Sequence, residues 1–419
     1  MHRRTFLQRS SVVAGWGALQ SLGLAGCAAG GRRQGGLAAN ATAPGMGPGL
    51  PFYDVPGVIV PIRADLDRIF RITVCLRPFR AAGPRLEVER VADKLVVHNY
   101  GHGGSGWSLS WGSADVVVRR AMEASPVARE CAVVGCGALG LTAALTAQRM
   151  GLQVTMYAKE RPPYVRSARA TGSWTPDSRI ALSSAAAPTF AAEWERMART
   201  SFSMYQSYLG AAGTPIEWTD RYILRDEPHA ASAAAPAARG DRHEFAFYGD
   251  RIEDLTPGTQ EMPAGATPFP TRFVRRTSSL TFNVASYSRQ LVEEFQIGGG
   301  RIETREFHSP AELASLPQGV ILNCTGYGAR ALWGDESVVP VRGQIAWLIP
   351  QDGVNYGIYY KQLNVVARRD GIVIQPSPQG EETGWNDANE EPNRAEAEAG
   401  VRTLQELYGR MGAAGRHSG

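Results

Sequence analysis

The sequence predicts an α/β protein, with a Rossmann-like dinucleotide-binding lobe joined to an α+β lobe built on a mixed sheet. Three observations predict it. Cys131 to Val134 is a short apolar run of small and β-branched residues, and Gly135, Gly137 and Gly140 follow it at G-x-G-x-x-G spacing. Ala138 to Met150 then has helix-forming character, and Val154 to Ala158 forms a second strand that closes on Glu160. A second glycine-rich loop, from Gly101 to Gly106, lies just upstream, again between a strand-like and a helix-like run.

The fingerprint makes specific physical demands. Gly135 permits a tight turn, Gly137 lets the backbone approach a pyrophosphate, and Gly140 lets helix pack on strand. The helix that opens with Ala138 and Leu139 offers free N–H groups to phosphates. Glu160, with Lys159 beside it, is placed to meet ribose hydroxyls, about 20 residues after the last glycine. A glycine-rich turn with no ligand is the alternative. Strand, loop, helix, strand and acid in this order favour dinucleotide binding.

The upstream loop reads His98-Asn99-Tyr100-Gly101-His102-Gly103-Gly104-Ser105-Gly106, followed by Trp111-Gly112-Ser113-Ala114. It resembles the signature of the D-amino-acid oxidases. Cys75-Leu76-Arg77-Pro78-Phe79-Arg80 is similar to that family's substrate-arginine segment. Asn323-Cys324-Thr325-Gly326 and Pro340-Val341-Arg342-Gly343-Gln344 also resemble it. The family order, however, is inverted: here the arginine and His-Asn-Tyr-Gly segments precede the fingerprint instead of closing the chain. The chain therefore reads as circularly permuted, with residues 65–125 moved forward. Permutation is tolerable where the old termini lie together at the surface. The tail helix around Val401 to Tyr408 would then feed the strand Arg71 to Leu76.

The remaining stretches are taken in chain order. Arg3-Arg4-Thr5-Phe6-Leu7 is a twin-arginine motif, followed by an apolar segment from Ser11 to Ala25 that is too short for a mature membrane span. Leu24-Ala25-Gly26-Cys27 resembles a lipoprotein cleavage box with Cys27 to be lipidated, or else an ordinary signal with an incidental cysteine. Residues 1–27 are read as signal and 28–50 as a flexible tether. Residues 51–419 are read as one two-lobed unit, with the cofactor lobe at 88–176 and 300–347. The substrate lobe takes 52–87, 177–299 and 348–419. The formal net charge is +4, and three arginines lie in the leader, so nothing points to nucleic acid as partner. The cysteines show no disulfide or metal spacing, and no metal is expected. Cys75, Cys131, Cys136 and Cys324 are read as small buried residues.

Gly172, Ser173 and Trp174 resemble the family segment under the flavin ring; a plain loop with a buried Trp is the equal alternative. Ser184 to Leu209 is an amphipathic helix candidate, and residues 230–239 are low complexity. A helix is expected over Phe282 to Phe295, with strands over Arg301 to Glu306 and Gly319 to Asn323. Tyr359 falls where the family places one active-site tyrosine, as a lid-like aromatic or as core. Asn364 stands where a second would be, and Gln375-Pro376 replaces a glycine pair.

The resemblance implies FAD-dependent oxidative deamination of a D-amino acid. A hydride passes from the α-carbon to flavin N5, and O2 is the acceptor, giving hydrogen peroxide. Arg77 would hold the substrate carboxylate with its planar fork. The Gly104 carbonyl would accept from the substrate amine. Gly103, Gly106, Trp107 and Ser108 would border the flavin, with Ser108 toward its O2/N3 edge. His98 and His102 are read as structural, having no paired acid nearby in sequence. Competing readings are a dehydrogenase donating to a membrane quinone and a non-catalytic flavin-binding lipoprotein. The implied setting is extracytoplasmic, reached by the twin-arginine route and held to a membrane by the lipid anchor.

Overall fold

The computed structural model describes residues 59–228 and 243–414. The signal and tether readings of residues 1–50, Cys27 included, and the low-complexity run 230–239 lie outside them. Two sheets organise the described chain. The first has six strands in the order β2 (Val88–Val91), β3 (Lys94–His98), β10 (Val320–Asn323), β4 (Glu130–Val134), β5 (Gln153–Ala158) and β9 (Arg301–Thr304). Only β2 runs antiparallel. Every residue of β3 and β10 is buried, as is all of β4 after Glu130. Such near-continuous apolar runs are what a parallel sheet covered on both faces requires.

Register decides where the loops go. Asn323 pairs with both His98 and Val134, so β3, β10 and β4 end side by side. The two glycine loops, separate in sequence, therefore emerge from one sheet edge. From β4 the chain crosses to β5 on one side, while β10 and β3 lie on the other. That divergence opens a crevice beyond the strand ends.

Helices α1 (Gly106–Ala124), α2 (Ala138–Arg149), α3 (Phe190–Gln206) and α4 (Val284–Ile297) join the six-stranded sheet in the main core, with Val97, Leu141, Met156, Phe202 and Leu291 among its members. Helix α3 is shorter than the amphipathic pattern over 184–209 predicts. Pro188 disfavours α geometry at Ala187, and the helix starts only at Phe190. Similarly, β9 stops at Thr304, two residues short of its predicted end.

The second sheet has eight strands: β1 (Ile69–Phe79), β11 (Val339–Leu348), β14 (Gly371–Pro376), β13 (Leu363–Arg368), β12 (Tyr356–Tyr360), β6 (Ile216–Arg225), β8 (Phe273–Phe282) and β7 (Gln260–Glu261), in that order. β11 belongs to this sheet, although the sequence boundary at 347 puts it with the cofactor lobe. One face carries Ile358, Val365, Ile374 and Leu224 against Val401, Leu404 and Leu407 of α5 (Arg394–Ala414). The Tyr356 hydroxyl donates to the Val60 carbonyl at 2.7 Å and meets the Tyr408 hydroxyl at 2.9 Å. The late helix and the first described residues thus share one packing site. The opposite face of the sheet borders the cleft.

Candidate functional site

A cleft of about 1780 Å³ runs from the ends of the six-stranded sheet to the open face of the eight-stranded one. Of the seventeen residues singled out from sequence, sixteen line it: Arg77, Gly103, Gly104, Gly106, Trp107, Ser108, Gly135, Gly137, Ala138, Leu139, Lys159, Glu160, Gly172, Ser173, Trp174 and Tyr359. Gly140 does not. It sits behind the loop, where an added Cβ would lie 2.0 Å from the Gly135 carbonyl oxygen. Gly135 itself takes φ +109°, which favours glycine, and a Cβ there would meet the Cys324 carbonyl at 2.4 Å.

Ser167 ties the two loops together. Its hydroxyl accepts from the Ala138 N–H at 3.1 Å, and its carbonyl accepts from the Trp107 indole at 2.8 Å. Nothing in the sequence pattern marks Ser167. Gly103, at φ +53°, leaves a Cβ only 1.9 Å from the Arg179 carbonyl, so that loop closes on the 178–179 backbone. Gly104 donates to the Ser178 carbonyl at 3.0 Å. A Cβ on Gly106 would meet no atom within 4 Å, leaving open space at the start of α1. Ser108 lies in the first turn of α1, and its hydroxyl accepts from the Thr175 N–H at 2.8 Å. Ser108 lines the cleft, and accepting this bond leaves its own O–H free to donate. Trp174 buries its indole against Phe202 and Tyr205 while its segment borders the cleft.

At the nucleotide end, Lys159 pairs with Glu306 at 3.1 Å, and Glu160 and Arg305 line the same region. At the sheet end stand three arginines. Arg77 lies over the Cα of Gly343, whose Cβ would fall 2.3 Å from its Nη2. Its only hydrogen-bond partners among the described residues are the carbonyls of Arg342 at 3.2 Å and Val341 at 3.5 Å. Burial first, then neighbouring Arg179, pulls its pKa down to about 10, so it remains a cation at neutral pH. Arg179 is satisfied differently: it approaches the Glu381 carboxylate at 3.1 Å and donates to the Glu381 and Gly380 carbonyls. Arg221 donates to the Ser173 hydroxyl at 2.8 Å and to Asn364. The sequence reading missed Arg179 and Arg221. Arg179 lies in a turn with no pattern to mark it, and Arg221 lies inside β6, where strand periodicity does not say which face borders a cleft.

The histidines differ from expectation in one respect. His98 does have an acidic partner: its Nε2 lies 2.8 Å from Glu89 on the neighbouring strand, and its Nδ1 meets Asn323 at 3.0 Å. Pairing across strands is invisible in linear spacing. His98 does not line the cleft, and burial lowers its pKa. His102 lines the cleft, contacts the Ser113 hydroxyl at 2.8 Å and is pushed by burial down to about 3. It is neutral across the physiological range and carries no acidic imidazolium proton to deliver.

Cys131, Cys136 and Cys324 are buried, and burial pushes each thiol up to about 12. Thiolate is the reactive form, so below pH 9 it is scarce. The native protein should therefore leave all three unmodified by a neutral maleimide at pH 8, with labelling only after denaturation. Peptide mass mapping checks this, and rapid native labelling of Cys136 would contradict it. Among the described residues no cluster of His, Cys, Asp and Glu could hold a metal ion, and no helix is long and apolar enough to cross a membrane.

The cradle fits an extended dinucleotide. Its loops exclude a Cβ where backbone must come close, a helix N-terminus opens on the cleft, and an acid stands at the far strand end. Fold and site together define an FAD-dependent oxidoreductase. Residues 130–416 match the family model DAO, FAD dependent oxidoreductase, and the chain belongs to that family. The match begins at Glu130, the first residue of β4. The chain is 28% identical over 290 residues to a D-amino-acid oxidase of Rubrobacter xylanophilus, covering 68% of this chain and 79% of the relative. A D-amino-acid oxidase of Streptomyces coelicolor is 27% identical over 53% of this chain and 63% of its own length. Among solved structures, L-amino acid deaminase from Proteus vulgaris covers 68% of this chain and 76% of its own, at 13% identity and a TM-score of 0.43. Glycine oxidase from Bacillus cereus covers 59% and 70%, at 12% identity and a TM-score of 0.39. Both are weak likenesses of fold.

Proposed function

We propose that this protein oxidatively deaminates D-amino acids with O2 as acceptor, releasing a 2-oxo acid, ammonia and hydrogen peroxide. The observation that carries it is Arg77, a desolvated guanidinium on the cleft wall with no carboxylate partner among the described residues. An anion is what such a fork lacks, and a substrate α-carboxylate supplies one. The similarity to D-amino-acid oxidases supports the same choice.

Bound FAD supplies a two-electron acceptor for the hydride leaving the substrate α-carbon. The chain's own residues do the rest. Arg77 holds the carboxylate and sets the orientation of the α-carbon. The Gly104 carbonyl accepts from the substrate amine and fixes its position relative to the α-carbon. Tyr359, whose hydroxyl donates to Gln362 at 2.5 Å, narrows the sheet end of the cleft and limits water there. Neutral His102 adds no competing charge beside the reacting atoms.

The forward placement of residues 65–125 is part of the same reading. Its support is the family match starting at Glu130 and the meeting of Val60, Tyr356 and Tyr408 in one hydrogen-bonded group. Export by the twin-arginine route and lipidation at Cys27 also belong to it, resting on Arg3, Arg4 and the small residues before Cys27. Globomycin treatment of an expressing bacterial host, followed by mass measurement, tests the lipid anchor.

The activity is tested by anaerobic addition of D- and L-amino acids to the flavin-loaded protein. D-enantiomers should bleach the yellow absorbance, and readmitted air should restore it with peroxide. Bleaching by L-enantiomers alone, or by none, would sink the reading. Bleaching by D-enantiomers without peroxide would favour a quinone-linked dehydrogenase.

A further inference from the structure

Arg221 takes no part in holding the flavin or the α-carboxylate. It projects from the middle of β6 onto the cleft-facing side of the eight-stranded sheet and lines the cleft. Part of its surface is open to the cleft, yet surrounding protein removes it from bulk water. Its partners are neutral: the Ser173 hydroxyl and the Asn364 side-chain oxygen. Among the described residues no carboxylate lies within ion-pair distance of it, although most of the other partly buried arginines are paired, such as Arg368 with Asp370 at 2.6 Å and Arg342 with Glu396 at 3.2 Å. A guanidinium carries five N–H donors, and two are used. A desolvated cation kept without a counter-charge is costly, so a site that retains one is shaped for an anion that arrives from outside.

The position of this cation relative to Arg77 sets the size of that anion's carrier. Arg77 lies over Gly343 on β11, and Arg221 reaches Asn364 on β13. Arg77 belongs to β1 and Arg221 to β6, but the residues they reach are nearer: β14 alone lies between β11 and β13, and Asn364 is offset by two residues from Gly343 in register, so these two anchor points stand roughly 12 Å apart. A four- or five-carbon dicarboxylate bridges such a gap with a charge-assisted bond at each end. The walls between are polar and uncharged, Gln375 and Asn364 among them. The acids at the rim are already engaged: Glu381 by Arg179, and Glu382 by His243 at 2.9 Å. Exposed Arg225, also lining the cleft, adds positive charge on the approach.

We propose that Arg221 receives a second, side-chain carboxylate, so that the preferred substrates are D-amino acids with acidic side chains. This rests on the D-amino-acid reading of the same cleft. Arg221 is then a specificity-determining residue, and the neutral Asn364 orients it.

The test uses the full chain loaded with FAD and two ligands with the same four-carbon skeleton, succinate and butyrate, titrated by calorimetry. Succinate should bind about 10- to 100-fold more tightly, as expected for added charge-assisted bonds. Arg221→Gln should bring the two acids within about threefold of each other, with the flavin absorbance retained. Should that variant lose its flavin, Arg221→Lys decides: it should keep a preference for succinate because it keeps the charge. Equal binding of the two acids by the unaltered protein overturns the proposal, as does a succinate preference that survives in Arg221→Gln or vanishes in Arg221→Lys. A flavin bleached by D-alanine faster than by D-aspartate and D-glutamate sinks this inference and leaves the general reading standing. A flavin that no D-amino acid bleaches sinks the general reading, while the calorimetry still decides whether the second carboxylate has a site.

Discussion

Arg77→Lys should raise the KM for a D-amino acid by about 10- to 100-fold, with the flavin still bound and the protein still folded. The expected size is that of one lost charge-assisted bond, about 1.5–3 kcal/mol. Lysine keeps the charge and loses the fork. Arg77 already spends one donor nitrogen on the Arg342 and Val341 carbonyls, which fixes the plane of the group against Gly343. A lysine ammonium cannot hold that plane and offer two parallel donors at once. The close fit over Gly343 adds a second arm: Gly343→Ala puts a methyl where the guanidinium lies and should raise KM in the same direction. The pH dependence follows from the sign of the shift. The cation is present below about 10 and is lost as pH rises through that value, so carboxylate affinity should be level from neutral pH and fall above it. Steady-state kinetics with absorbance-monitored flavin content checks all three. A KM unchanged in Arg77→Lys would remove Arg77 from the carboxylate site.

Gly140→Ala should abolish tight FAD binding and destabilise the fold by about 1–3 kcal/mol, the usual range for overpacking a core. The added methyl would sit 2.0 Å from the Gly135 carbonyl oxygen, and that oxygen belongs to backbone that cannot swing aside. Gly135 is itself hemmed by the Cys324 carbonyl, so a displaced loop pushes on the end of β10. The first turn of α2 must move off the β4 edge, and with it the N–H groups of Ala138 and Leu139. Flavin retention through gel filtration and a denaturant melt give the two readouts. A variant that keeps its flavin with native affinity would show that this helix does not need close packing on its strand. Gly106→Ala is the control: with no atom within 4 Å of its Cβ, the apoprotein should keep its stability.

Legibility from sequence tracked the range of the interactions. The β4–α2–β5 unit was readable because its constraints are local: a tight turn, a pyrophosphate approach and a helix–strand contact all fall within one stretch of chain. The ends of α3 and β9 were less so, since a proline and the last available neighbour strand set them. His98 shows the limit most clearly. Its partner Glu89 is nine residues away along the chain and adjacent only because β2 folds back on β3. Ser167 carried no signal, because a serine in a loop becomes a clamp only when Trp107 and Ala138 arrive beside it.

By itself the amino-acid order determined the nucleotide cradle, because glycine spacing reports on backbone geometry that the local chain enforces, while the candidate carboxylate-binding arginine and the FAD requirement came from the resemblance of the Arg77 and His98–Gly106 segments to the D-amino-acid oxidases. Only the tertiary structure decided that both glycine loops leave one sheet edge, that Val60 and Tyr408 meet at Tyr356, and that Arg221 lines the same cleft as Arg77 with no carboxylate partner among the described residues. Those facts depend on strand register and on which face of an eight-stranded sheet is left uncovered. Neither is set until strands distant in sequence have paired.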